Sequence, residues 1–137
     1  VYKELVPPES LVKVPFIKYQ TDASVANIIE TWCAEHFDEP PSVAMDVNSM
    51  STCRHFVRAG LGWSILTYMG LGSCKDKDIY VSPLRSKDGE YITRDTNMVY
   101  TKDAENLVVV KTFIEYVRNY YKEHTVVDDS IFREYKA

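Results

Sequence analysis

The segment "STCRHFVRAGLGWSILT" (51–67) sets Cys53 two residues from His55 and then runs into two glycines that straddle Leu61. These residue types raise two chemistries, a thiolate beside its base and a glycine loop around a phosphate. The first needs hydrogen-bond reach between the side chains. Two residues on a helix point roughly 200° apart, so the pair fails on geometry. Cys53 then reads as a small core residue and His55 as solvent-facing. The second fails because "GLG" is shorter than either glycine-rich nucleotide fingerprint and sits where a helix ends, with no row of free amides ahead of it. Gly60 reads instead as a helix stop in the left-handed conformation, with Leu61 packing back on the last turn.

The chemistry moves upstream to "VNSMST" (47–52). A helix that starts beside Asn48 and Ser49 points its first amides and the positive end of its dipole away from the strand before it. Ser49, Ser51 and Thr52 add hydroxyls, and Met50 lies in the same turn. A carboxylate or similar anion suits such a site, and the carboxyl edge of an open α/β sheet is where ligands are expected. The same side chains equally serve as caps of their own helix. "YQTD" (19–22) stands at the equivalent edge of the preceding strand. There Tyr19, Thr21 and Asp22 either line the same cleft or, for Thr21 and Asp22, cap the next helix, and an acidic residue disfavours an anion close by. "TYM" (67–69) is a third wall, with Thr67 and with Tyr68 either facing a ligand or half-buried in a loop.

Other clusters carry less. Cys33 and His36 share a helix face near the acidic Asp38 and Glu39, but four metal ligands at a recognised spacing are missing. Asp95, Asp103 and Glu105 show no paired-carboxylate geometry, and Asp103 reads as the cap of the last helix. No catalytic residue, metal or cofactor is expected.

The elements that must position these residues follow from periodicity. "VKVPFIKY" (12–19) reads as a strand or the lead into one, and "DASVANIIETWCAEHF" as a helix with Val25, Ile28, Ile29, Trp32 and Cys33 inward and Asp22 or Ser24 as cap. Pro40 and Pro41 end it. "SVAMDV" (42–47) is a strand, and a helix carrying Met50, Cys53, Phe56 and Val57 inward follows. "WSILT" (63–67), "DIYVSPL" (78–84) and "EYITRDTNMVYT" (90–101) read as strands. A helix from Ala104 to about Tyr121 places Leu107, Val110, Phe113, Ile114, Val117 and Tyr121 on one face. A short helix capped at Asp128–Ser130 is a weaker feature of the tail. The order predicts an α/β fold with mainly parallel pairing.

With 137 residues and 45% apolar content the chain can bury a real core. A net charge of −4 with scattered Lys and Arg leaves no basic stripe for DNA or RNA. Apolar runs fall far short of the ~20 residues a bilayer requires. Cys33, Cys53 and Cys74 are an odd set without a CxxC pair, which fits a reducing cytosol. A chain opening on Val1 is expected to begin within its gene.

Together, "LVKVPFIKY", "IIETWCAEHF", "VAMDVNSMSTCRHFVRAGLGWSIL" and "RDTNMVYTKDAENLVVVKTFIEYV" resemble the C-terminal effector-binding domain of LysR-type transcriptional regulators, over residues 5 to about 121. The third piece is the most specific, since strand, cap, helix ending in V-x-x-G-x-G and apolar strand occur in order. The resemblance implies a lobe like those of type 2 periplasmic binding proteins, a three-layer α/β/α unit with a mixed, mainly parallel sheet. It divides the chain into the end of a first lobe with the first crossover strand (1–17), a second lobe (18–95), a return crossover strand and helix packed on the first lobe (96–122), and a tail (123–137). Most of the first lobe and the N-terminal winged helix-turn-helix are expected to lie outside this chain. It further implies a cytoplasmic, non-enzymatic sensor that binds a small effector such as a carboxylate or amino acid. Such a sensor forms homodimers or tetramers through helices 24–37 and 104–121 and meets DNA only through the winged helix-turn-helix. The rivals are a lobe of a solute-binding transport protein and an enzyme on a related two-lobed fold, of the porphobilinogen deaminase or dehydratase kind.

Overall fold

The computed structural model describes residues 6–71 and 79–124. The expected tail helix capped at 128–130 and the first residue of the expected strand 78–84 lie outside them. Contacts divide the chain into two compact units, one through Ile92 and one from Thr93.

In the first unit a 3-10 turn (Pro8–Leu11) leads to strand β1 (Phe16–Tyr19), helix α1 (Ala23–His36), strand β2 (Val43–Val47), helix α2 (Met50–Arg58) and a single turn, α3 (Tyr68–Leu71). β1 and β2 pair in parallel, Phe16 against Val43 and then Ile17, Lys18 and Tyr19 against Met45, Asp46 and Val47, with an irregularity after Phe16. On the other side of β1 the amide of Ile17 donates to the Trp63 carbonyl, and Trp63 forms a parallel bridge with Phe16. The spatial order is therefore β2, β1, then the 63–67 segment.

The pleat sends alternate side chains to opposite faces. Ile17 and Tyr19 bury themselves with Cys53 of α2, and Met45, Val47, Met50, Phe56, Val57 and Leu66 close around them. Phe16 belongs to an aromatic cluster. Its ring lies 4.7 Å from that of Trp63, which meets Trp32 of α1 at 6.4 Å and Phe37 at 5.9 Å. The indole of Trp32 donates to the Arg85 carbonyl at 2.7 Å, so the helix is pinned by a hydrogen bond as well as by apolar burial.

In each of the two helices one of the candidate caps forms, Asp22 rather than Ser24 in α1 and Ser49 in α2. The Asp22 carboxylate accepts from the amides of Ser24 and Val25 at 3.0 and 3.1 Å, and the Ser49 hydroxyl accepts from Thr52 at 3.1 Å. The stop of α2 also follows the sequence. Gly60 has φ +76°, its amide donates to the Val57 carbonyl, and the Leu61 amide reaches back to Phe56, a Schellman closure. The Leu61 side chain stays half-exposed rather than packing on the last turn. Gly62 is needed for a different reason, since a Cβ there would stand 2.3 Å from the Pro15 carbonyl oxygen.

Three expected strands shrink to bridges. In 63–67 only Trp63 pairs, because the Ser64 hydroxyl takes the Ile17 carbonyl at 2.8 Å, the acceptor that the next amide of a ladder would use. Within 79–84 Pro83 has no amide to donate. Of the expected strand at 90–101 only the start pairs, Tyr91 forming an antiparallel bridge with Arg85, with the Ile92 amide donating to the Leu84 carbonyl and the Glu90 carbonyl accepting from Ser86.

In the second unit the helix expected from Ala104 begins later. Lys102–Asn106 form a 3-10 turn, and α4 runs from Val108 to Glu123 with Leu107 as its N-cap residue. Asp103 therefore does not cap it. No side chain caps α4, whose start is instead an extended residue set by the preceding turn. Ile114 is buried with Val110 and Val117 half-buried, a narrower stripe than periodicity suggests. Leu107, Phe113 and Tyr121 are exposed, as are Val108, Val109, Tyr116 and Tyr120.

Candidate ligand-binding site

Because β1, β2 and the 63–67 segment run parallel, the segments that leave them emerge at one edge. That edge collects residues 20–22, 48–49 and 67–68, so the three separate walls read from the sequence share a location. Two contacts tie them. The Gln20 amide donates to the Val47 carbonyl at 2.9 Å, and the Thr67 hydroxyl reaches the Met50 thioether at 3.5 Å.

α2 supplies the centre of the site. Ser49 caps it through Thr52, and the two hydroxyls lie 2.9 Å apart. The Cys53 amide is taken by the Ser49 carbonyl. The amides of Met50 and Ser51 make no hydrogen bond among the described residues. They form an uncapped pair of donors at the positive end of the helix. Asn48 and Ser51 are exposed, while Ser49, Met50 and Thr52 are half-buried. α1 opens at the same edge but is closed by a carboxylate, so Asp22 uses its charge as a cap. An anion is thus favoured at α2 and disfavoured at α1.

Tyr19, the last residue of β1, is buried, and burial pushes its phenol above the usual range, with further pushes from Cys53 and Asp22. The Thr21 hydroxyl lies close enough to oppose this slightly, without hydrogen-bond geometry between the two oxygens. Tyr19 and Thr21 also line a cleft of about 460 Å³ between α1 and β1, together with Phe16, Ile29, Cys33 and Pro41. Thr67 and Tyr68 are half-buried at the start of α3. A larger cavity of about 1070 Å³ touches none of these residues. It lies beside the ends of α1 and α2, at His36 and Gly60, and is lined as well by Arg85 and Lys87.

Sequence reasoning missed Arg54, whose guanidinium Nη1 donates to the Gly70 carbonyl at 3.2 Å. The available signal was its place one turn beyond Met50, on the same side of α2.

Cys53 is wholly buried with its thiol toward the Ile17 carbonyl, and His55 is exposed, so the two lie on opposite faces of α2. Burial pushes the thiols of Cys53 and Cys33 up, the first partly offset by the Ser64 hydroxyl. Both stay protonated near neutral pH and are poor nucleophiles. His36 stacks on Trp32, with Nδ1 2.9 Å from the Trp32 carbonyl. Among the described residues no three His, Cys, Asp or Glu side chains gather as metal ligands, and no helix is long and apolar enough to cross a membrane.

Known proteins with similar sequences match most of the chain. Residues 2–122 match the family described as the LysR substrate binding domain. The uncharacterized HTH-type transcriptional regulator YraN of Bacillus subtilis (strain 168) is 34% identical over 118 residues, which are 86% of this chain and 40% of that protein. The uncharacterized HTH-type transcriptional regulator YkuM of the same organism is 28% identical over 105 residues, 77% of this chain and 35% of that protein. The chain thus spans at most about two-fifths of these relatives. The family is a domain of transcriptional regulators rather than an enzyme class, and its fold is the α/β type of the type 2 periplasmic binding proteins. The match over residues 2–122, with which the parallel β-α-β unit agrees, shows that this chain belongs to the LysR substrate-binding domain family.

Proposed function

We propose that this chain is the effector-sensing part of a LysR-type transcriptional regulator and that it binds a small anion, a carboxylate or an amino acid, at the carboxyl edge of its sheet. The observation that carries this reading is the open amide pair of Met50 and Ser51 where three strand-end segments meet. Asn48, Ser49, Ser51 and Thr52 hold the anion, and Tyr19, Thr21, Thr67 and Tyr68 shape the rest of the effector. Asp22 repels a second negative charge and so favours a ligand whose far end is neutral or cationic.

In this reading residues 18–95 form the second lobe, residues 96–122 return to the first lobe, and the effector lies between lobes. Binding shifts lobe closure or packing, and the shift passes to a separate winged helix-turn-helix that contacts DNA in the cytoplasm. Self-association and first-lobe contact use α4, whose Val109, Phe113, Tyr116 and Tyr120 are exposed. α1 offers less for this purpose, because none of its large apolar side chains is fully exposed. The names of the relatives, both transcriptional regulators, support this reading over a transport lobe.

The test is a thermal-shift screen of small carboxylates and amino acids against the full-length regulator. The hit should bind at least several-fold more weakly to Ser49→Ala with Thr52→Ala while the fold persists. Unchanged affinity in that variant rejects the site.

A further inference from the structure

We propose that Arg54 is a positioning residue for the candidate site, holding the 67–71 turn against the first turn of α2 without touching the ligand. This inference rests on the proposed anion site and deepens it by naming what keeps its third wall in place.

α3 has four residues, too few to be stable by its own hydrogen bonds. Thr67 organises it locally, its carbonyl accepting from Gly70 at 2.8 Å and Leu71 at 3.2 Å and its hydroxyl accepting from Gly70 at 3.3 Å. Among the described residues its attachment to α2 is centred on Gly70, where two contacts join. One is the Arg54 Nη1 bond to the Gly70 carbonyl. The other is the seat of Met50 on Gly70, where a Cβ would stand 1.9 Å from the Met50 Sδ and 2.9 Å from its Cγ. The same thioether meets the Thr67 hydroxyl. Met50 carries one of the two open amides, so whatever displaces its side chain acts on the residue that presents the donor.

Arg54 acts through the turn rather than through its charge on the ligand. Its Nε is shielded from solvent and makes no hydrogen bond among the described residues. With Nη1 given to the Gly70 carbonyl and Nε shielded, this side of the guanidinium lies against the turn.

Two measurements on the full chain decide this. In the first, hydrogen exchange at the Gly70 and Leu71 amides should quicken about tenfold in Arg54→Met, the scale of one lost charge-assisted hydrogen bond. Unchanged exchange overturns the clamp. Arg54→Leu, which likewise has no donor, serves if Arg54→Met does not fold. In the second, sulfate is the probe, titrated by the amide shifts of Ser51 and Thr52. Arg54→Met and Gly70→Ala should each weaken it about tenfold, and the double variant should be no weaker than the worse single, because both break one latch. Full affinity in Gly70→Ala, or additive losses in the double, means that Arg54 meets the anion directly and overturns the proposal. If sulfate moves neither amide in the unaltered chain, the anion-site reading falls and takes the ligand half of this inference with it. The exchange result still decides the clamp separately.

Discussion

Ser49→Asp separates capping from ligand binding at one atom position. Ser49 accepts the Thr52 amide at 3.1 Å and sits beside the open donors of Met50 and Ser51. Aspartate caps a helix about as well as serine, and its charge gains a further ~0.3–1 kcal/mol from the helix dipole. The folded state should therefore hold or gain slightly, with a urea midpoint at or above that of the unaltered chain. A bound anion fares oppositely. Two like charges about 4 Å apart at an effective dielectric of ~20 repel by about 4 kcal/mol, and solvent at this partly exposed edge reduces that to roughly 2 kcal/mol, about 30-fold in affinity. Calorimetric titration of the screened effector measures the loss, and urea unfolding followed by circular dichroism measures the fold. Ser49→Asn, a cap without charge, should stay within about threefold of the original affinity. Full affinity in Ser49→Asp with an intact urea midpoint would refute the claim that an anion sits on this helix end.

Two further predictions concern the core. Ile17 is completely buried between α2 and the sheet, so Ile17→Ala should lower unfolding free energy by about 2–5 kcal/mol in urea melts, and a loss below 1 kcal/mol would mean that the site collapses around the gap. Stability should also fall as pH rises past the ordinary thiol range of about 8.5, because burial holds Cys33 and Cys53 protonated in the folded state while the unfolded thiols ionise. The raised groups contribute fully below that range, and the contribution is lost as pH climbs through their folded values. Replacing the half-buried Cys33 by alanine should flatten this alkaline slope, and an identical slope would remove the thiol from the explanation.

Local chemistry was legible wherever neighbours in sequence decide it. Asp22 and Ser49 cap because a short oxygen-bearing side chain before an apolar run meets amides two or three residues on. Gly60 closes α2 because a residue without a Cβ takes the left-handed turn at no steric cost. Cys53 and His55 part because helical rotation separates residues two apart, whatever surrounds them. The start of α4 misled for a related reason. Asp103 and Ala104 look like a cap and first turn, but the chain spends 102–106 on a 3-10 turn before the helix begins.

Sequence by itself determined the caps, the helix stop, the parallel β-α-β order and the family, since each depends on residue types at fixed short spacings. Tertiary structure alone decided which strands survive as ladders and which side chain of α2 reaches the 67–71 turn. A strand needs a partner's free donors and acceptors, and the Ser64 hydroxyl had already claimed the Ile17 carbonyl. Arg54, sixteen residues before Gly70, meets its carbonyl only when α3 lies on α2, and no periodicity in the chain records that distance. The same holds for α4, where the amphipathic pattern allowed a broad apolar face but packing buried only Ile114 and left Phe113 and Tyr116 exposed.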